Sequence, residues 1–240
     1  VGAAYGRPDE AQSSYLVQAG HRAVCLDLGA GTLNRLCGVI PPDRLEALVI
    51  THLHPDHFAD LLSLRVYMAW GPGRGSQLRV LGPPGLRERL VAFTDETGWD
   101  EGFTFEELLA PEDGVDLGEG LLLRFAEVPH LPPTFAVRID WGGKSICYGA
   151  DCAPNEAIPR LARGVDMLLL ECSFGAGPAP DGVPHLRAQD AADLALRAEA
   201  RHLLLTHCYP EFDRDEAIAA ARAVLDVPVH WAVAGHAASA

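Results

Sequence analysis

The sequence is short of positive charge. Its 240 residues hold 19 Lys and Arg against 33 Asp and Glu, a formal net charge of −14, and Lys144 is the single lysine. Polyanion backbones are bound through Lys and Arg, so the chain repels nucleic acid on average, with only a local basic groove left open. No stretch reaches the roughly 20 apolar residues that cross a bilayer, so no membrane partner is expected, and no secretory-signal pattern is present. The chain starts on Val1, and Val1-Gly2 reads as the end of a strand, so the first strand is expected to be cut short. The six cysteines (Cys25, Cys37, Cys147, Cys152, Cys172, Cys208) form no C-x-x-C pair, and several stand in apolar runs as small hydrophobes do. A reduced, cytoplasmic chain without disulfides follows. No linker, low-complexity block or internal repeat divides it, so residues 1–240 are expected to form one domain.

What is present is an ordinary globular composition, 48% hydrophobic and 22% charged, with 24 Gly and 18 Pro scattered between periodic segments as in a chain of tight connections. Strand-like runs recur at 14–18, 23–27, 47–51, 78–81, 121–128, 135–140, 145–148, 166–171, 202–206 and 228–232. Helical periodicity covers 58–70, 86–97, 187–200 and 213–225; Asp213 reads as an N-cap, and Ala191, Leu194, Ala195 and Ala198 share one face. Strands joined by turns dominate the first quarter and the middle, and strand–helix alternation dominates the last third. Sheets with helices on their outer faces fit this order better than one doubly wound sheet.

The run 47–51 leads directly into His52-Leu53-His54-Pro55-Asp56-His57. From the residue frequencies, H-x-H-x-D-H arises by chance roughly once in a thousand such chains. In extended backbone alternate side chains point the same way, so His52 and His54 face one metal. Pro55 ends the strand, and Asp56 and His57 fall at the first turn of the 58–70 helix, directed to a second centre. Imidazole and carboxylate donors suit zinc, with manganese or iron as alternatives. Four ligands do not complete two sites, and three further donors stand just past the ends of strand-like runs: His130, Asp151 and His207.

The order Asp27-Leu28-Gly29-Ala30-Gly31-Thr32, H-x-H-x-D-H, His130, Asp151 and His207 resembles the metallo-β-lactamase superfamily over nearly the whole chain. The tail, with 166–171, His185, 191–200 and Leu203-Leu204-Leu205-Thr206-His207, resembles its ribonuclease Z-like branch. The resemblance implies an α/β fold: a four-layer αβ/βα sandwich of two mixed β-sheets flanked by helices. It implies two divalent metals, one held by His52, His54 and His130, the other by Asp56, His57 and His207, with Asp151 bridging. Asp27 then orients the metal loop by hydrogen bonds. The implied activity is hydrolysis by a metal-bridging hydroxide, with Asp56 and His185 as catalytic residues, His185 protonating the leaving group or steadying substrate charge. The expected substrate is a phosphodiester of small or moderate size. Hydrolysis of a lactone, thioester or sulfate ester, and a non-hydrolytic metal-binding role, stand as alternatives.

Glu171, at a strand end, either bonds a ligand histidine or caps local backbone. Trp70 and Arg74 form a lid, and Phe174 and Tyr209 approach the metals, unless each is plain core or loop. His21, His202, His230 and His236 match no ligand position, and Cys152 and Cys208 are assigned to packing. Members of the branch that process transfer RNA carry a protruding arm between the third histidine and the bridging aspartate. Here His130 and Asp151 are close in sequence, with room only for two short strands and the turn Trp141-Gly142-Gly143-Lys144, so transfer RNA is not the expected partner. The apolar helix 58–70 offers a homodimer contact or serves the internal core.

Overall fold

The structure, a computed structural model, describes residues 2–8, 10–109 and 114–240. Val1, on which the expectation of a shortened first strand rests, lies outside the described residues. The chain divides into two compact units: Ala11–Leu109 form the N-terminal unit, and the remaining described residues form the C-terminal unit.

The N-terminal unit runs β1 (Tyr15–Ala19), β2 (Arg22–Leu26), α1 (Leu33–Cys37), β3 (Ala47–Val49), α2 (Pro55–Phe58), α3 (Leu61–Trp70), β4 (Leu78–Gly82), α4 (Leu86–Thr94) and β5 (Phe103–Glu107). Its sheet follows chain order, β1 antiparallel to β2 and every later pair parallel. Parallel neighbours need crossovers, and the helices supply them. Leu33, Leu36, Leu61, Leu64, Met68 and Leu90 pack with Leu48, Ile50 and Val80 in one apolar cluster. The apolar residues of α3 are thus largely used inside the unit; Val66 and Trp70 stay exposed.

One expected element divides. The helical run at 58–70 is two helices, and Asp56 and His57 belong to the short α2 that precedes the longer one. The cause is Asp60, whose Oδ2 accepts from the Leu33 backbone at 2.8 Å and whose N–H donates to Leu28 O at 3.0 Å. Diverting that residue to the start of α1 interrupts the helix and sets α2 as a separate turn.

The C-terminal unit runs β6 (Val115–Asp116), β7 (Leu122–Val128), β8 (Thr134–Trp141), β9 (Lys144–Tyr148), α5 (Ala157–Leu161), β10 (Met167–Glu171), α6 (Ala188–Arg197), β11 (Leu203–Thr206), α7 (Arg214–Arg222) and β12 (Val229–Trp231). The sheet order is β12-β11-β10-β9-β8-β7-β6, parallel from β9 to β12 and antiparallel from β6 to β9. All five residues of β10 are buried, as its unbroken apolar run requires of a strand covered on both faces. Ala191, Leu194, Ala195 and Ala198 bury the inner face of α6, and Asp213 caps α7 by accepting from the Asp215 and Glu216 N–H groups. The β8–β9 hairpin turns through Gly142 (φ 57°) and Gly143 (φ 78°), the two positive φ values that a tight two-residue hairpin turn demands.

Both sheets are mixed and carry helices, as expected. Among the α-helices and strands of the described residues, α1, β5, α5 and the two-residue β6 have no counterpart in the sequence reading. Among the described residues no helix is long and apolar enough to cross a membrane. The six cysteines are free thiols, five of them buried.

Candidate metal centre

In the C-terminal unit, parallel strands put their C-terminal ends on one edge. Asp151 follows β9, Glu171 ends β10, and His207 follows β11, strands that are neighbours in that order. His130 follows β7, which runs the same way as β9 across the antiparallel β8. His207 and Ala150 hold φ of 51° and 54°, left-handed values rare outside glycine, so the chain turns sharply at the strand ends to face this edge. In the N-terminal unit Asp27 (φ 60°) and His52 follow the parallel neighbours β2 and β3.

Hydrogen bonds fix each ring. His57 Nδ1 lies 2.8 Å from Asp27 Oδ2, both groups fully buried. Thr51 Oγ1 donates to Asp27 at 3.0 Å and therefore accepts from His52 Nδ1 at 3.1 Å. Both assignments put the lone pair of each ring on Nε2. His52 Nε2 is 3.2 Å from His54 Nδ1, His57 Nε2 is 3.5 Å from Asp56 Oδ2, and the His52 and His57 rings are 4.0 Å apart. The four donors of the motif form one continuous patch.

The C-terminal unit repeats this logic with Glu171 as the hub. Its Oε2 accepts from Ser173 Oγ at 2.7 Å, so that Ser173 accepts from His207 Nδ1 at 3.2 Å. Its Oε1 takes His185 Nδ1 at 2.7 Å and the Cys152 backbone N–H at 3.1 Å. His130 Nδ1 donates to Pro184 O at 3.2 Å. His207 Nε2 then faces Asp151 Oδ2 at 3.4 Å, and Asp151 and His130 present ligand atoms within 4.8 Å of each other. Glu171 caps backbone, as one of the two expectations had it, and also bonds a histidine, though not a candidate ligand. That histidine is His185, however, with Ser173 interposed before His207. Ser173 and Thr51 are the two residues the sequence reading missed. Ser173 lies two positions beyond Glu171, a spacing that puts both on one side of an extended chain, whereas Thr51 carries no signal beyond preceding His52.

These donor sets suit divalent metal. Two donor atoms on one tetrahedral zinc at about 2.0–2.1 Å stand about 3.3 Å apart; the His52–His54 nitrogens lie 3.2 Å apart, and the His207–Asp151 and His57–Asp56 nitrogen–oxygen pairs 3.4 and 3.5 Å. Each pinned Nδ1 belongs to the outer hydrogen bonds that orient ligating histidines. The neighbouring thiols are poor donors: burial holds Cys152 and Cys172 well above the usual thiol range, so they stay protonated. Cys208, lowered by the hydrogen bond from Cys172, is itself packed into the apolar core.

Gly29 shows why the Asp27–Thr32 segment is built as it is. A Cβ there would lie 1.9 Å from Asp56 O, and Leu28 N–H donates to His57 O at 2.7 Å. The segment clasps α2 by backbone contact and fixes the two donors it carries. Phe174 and Tyr209 stand beside His185, with ring centroids 6.2 and 6.5 Å away. Trp70 is exposed with the Arg65 guanidinium 5.1 Å over its ring, and Arg74 is exposed in the loop beyond. Of the bystander histidines, His202 bonds Asp166 O at 3.0 Å.

A sequence-family profile described as the beta-lactamase superfamily domain matches residues 26–208. The chain belongs to the metallo-β-lactamase superfamily. Within the superfamily its likeness is to the ribonuclease Z-like branch: a ribonuclease Z of Mycobacterium marinum is 31% identical over 229 residues, covering 85% of this chain and 82% of that one. An uncharacterized protein of Mycobacterium tuberculosis is 35% identical over 233 residues, 94% of this chain and 85% of its own. The crystal structure of the metallo-beta-lactamase fold protein YhfI from Bacillus subtilis superposes with a TM-score of 0.87 at 25% identity, covering 98% of this chain and 94% of that one. The superfamily fold expected from the sequence is thus the fold observed.

Asp27→Asn keeps the side-chain volume but weakens its hold on His57 and Thr51, and loss of such an outer partner costs about 10–100-fold in metal affinity. Zinc titration against a chromophoric chelator reads this directly; affinity equal to that of the unaltered chain would show that Asp27 does not orient the donors.

Proposed function

We propose that the chain is a dinuclear metal-dependent hydrolase whose substrate is a phosphodiester of small or moderate size. One ion is assigned to His52, His54 and His130, the other to Asp56, His57 and His207, with Asp151 shared; zinc is the first choice. When bound, such a pair of ions activates water and offsets the charge that develops on the ester oxygens.

The observation that carries the phosphodiester reading is the Glu171–His185 pair. Hydrolysis of a phosphodiester forms a bond from water oxygen to phosphorus and breaks the bond to an alkoxide, which leaves only if it gains a proton. His185 Nδ1 is held by Glu171, and its ring lies 5.0 Å from that of His130 and 6.2 Å from that of His207. We assign the other ring nitrogen, Nε2, to donate a proton to the leaving oxygen, while Glu171 keeps the ring in place and balances its charge. Arg187 and Asp190, paired at 2.8 Å, lock the start of α6, and Arg187 holds the Asp190 carboxyl below the usual range.

Transfer RNA is not the substrate we propose. The residues between His130 and Asp151 are taken up by β8, its tight turn and β9, with no protruding arm, and the net charge of −14 opposes a large polyanion. The reduced thiols fit a cytoplasmic enzyme.

The test is a substrate panel on zinc-, manganese- and iron-loaded protein: bis(p-nitrophenyl) phosphate, a lactone, a thioester and p-nitrophenyl sulfate. The phosphodiester is expected to show the highest kcat/KM, by at least about 100-fold, a margin of roughly 2.7 kcal/mol in the barrier. A lactone or thioester in first place moves the reaction to a carbonyl, and no turnover of any member favours a non-hydrolytic role.

A further inference from the structure

The mechanism leaves unused an exposed aromatic stack in the C-terminal unit. We propose that Tyr5, stacked on Tyr209, is a platform for a planar aromatic group on the substrate, selecting diesters that carry such a ring over purely aliphatic ones. This rests on the phosphodiesterase reading above.

Three observations support it. The N-terminal segment is tied to the loop that follows His207: Tyr5 Oη donates to Glu211 Oε1 at 2.8 Å, and Arg7 donates to Phe212 O at 2.9 Å and to Pro210 O at 3.4 Å. The same loop carries Tyr209, whose ring lies 5.1 Å from Tyr5 at an interplanar angle of 18°, a stacked pair. From there the rings continue inward, Tyr209 edge-on to His185 at 6.5 Å and to Phe174 at 6.0 Å. With the leaving oxygen at His185, the other ester arm is the one assigned to Tyr5, whose ring follows His185 by the steps of 6.5 Å to Tyr209 and 5.1 Å to Tyr5.

Tyr5 is also built unlike a plug. Phe174 is 7% exposed, whereas Tyr5 is 53% exposed although Tyr209 covers one of its faces. Its hydroxyl and one ring face are fixed before any ligand arrives, so little side-chain freedom is lost when a second ring stacks on the face that remains. Stacking of a base on an aromatic side chain commonly changes affinity about 5- to 150-fold on alanine substitution.

Two experiments on the full zinc-loaded chain test this. Calorimetric titration compares adenosine monophosphate with ribose 5-phosphate, which differ by the base alone. The nucleotide is expected to bind about tenfold tighter or more, a gap that falls below about twofold in Tyr5→Ala and returns in Tyr5→Phe, which keeps the ring but loses the bond to Glu211. Kinetics compares bis(p-nitrophenyl) phosphate with ethyl p-nitrophenyl phosphate, which expel the same leaving group. Their kcat/KM ratio is expected to fall about tenfold in Tyr5→Ala, through KM. If Tyr5→Ala lowers Tm but leaves both comparisons at the values of the unaltered chain, Tyr5 is only a clasp for the N-terminal segment and the proposal is overturned. Aromatic selectivity in the ratio without a nucleotide gap supports a platform restricted to simple aryl groups. A nucleotide gap in a chain that hydrolyses neither diester supports the platform and sinks the phosphodiesterase reading instead.

Discussion

Asp151→Ala is expected to lower kcat/KM on a phosphodiester by at least about 10³-fold, a loss of roughly 4 kcal/mol of transition-state stabilisation, and to leave the purified chain with fewer than two bound metal ions. The size of the effect follows from its position. Asp151 is 2% exposed, and it presents carboxylate oxygen to both His130 and His207, the two histidine donors of its unit. Removing it deletes the one ligand assigned to both ions and leaves the histidines without a compensating negative charge. Asp151→Asn, which keeps the volume, separates charge from packing: it is expected to lose metal and rate nearly as severely while keeping Tm close to that of the parent chain. Metal analysis beside steady-state kinetics reads both effects. Full occupancy and rate in either variant would remove Asp151 from the site.

His185→Ala behaves differently, because no ion is assigned to His185. Metal content is expected to stay at that of the unaltered chain, and kcat on a diester with an alkoxide leaving group to fall about 10²–10⁴-fold, the usual range for a lost general acid. The deficit depends on the leaving group. A p-nitrophenolate leaves without needing the proton, so on a p-nitrophenyl ester the loss shrinks to less than about tenfold. Glu171→Gln weakens the 2.7 Å bond that aims the ring and is expected to show the same leaving-group dependence at smaller amplitude. Equal losses on alkyl and aryl esters, or loss of metal, would show that His185 steadies the site or the substrate and donates no proton.

The sequence made the metal loop legible because its chemistry and its geometry have the same period. His52 and His54 alternate along an extended chain, and Pro55 starts a helix at once. Asp151 and His207 were legible because each follows an unmistakable strand, and in parallel sheets strand ends gather on one edge. What stayed hidden depends on tertiary pairing. Asp60 reads as one more helical residue until its carboxylate caps α1 and splits the helix. Ser173 reads as loop until it is found between Glu171 and His207. The helices α1 and α5, five residues each, are too short to show a period, and β5 pairs with β4 through contacts far apart in the chain. Tyr5 gives no local sign at all, since its partners Tyr209 and Glu211 lie at the other end of the sequence.

The decisive quantity is the number of bound ions. Crystals of zinc-loaded protein, measured on both sides of the zinc absorption edge, are expected to show two anomalous peaks per chain about 3.5–4 Å apart. His52, His54 and His130 should surround one, Asp56, His57 and His207 the other, with Asp151 touching both. A single fully occupied peak, or ions bound away from these seven side chains, would contradict the two-ion assignment.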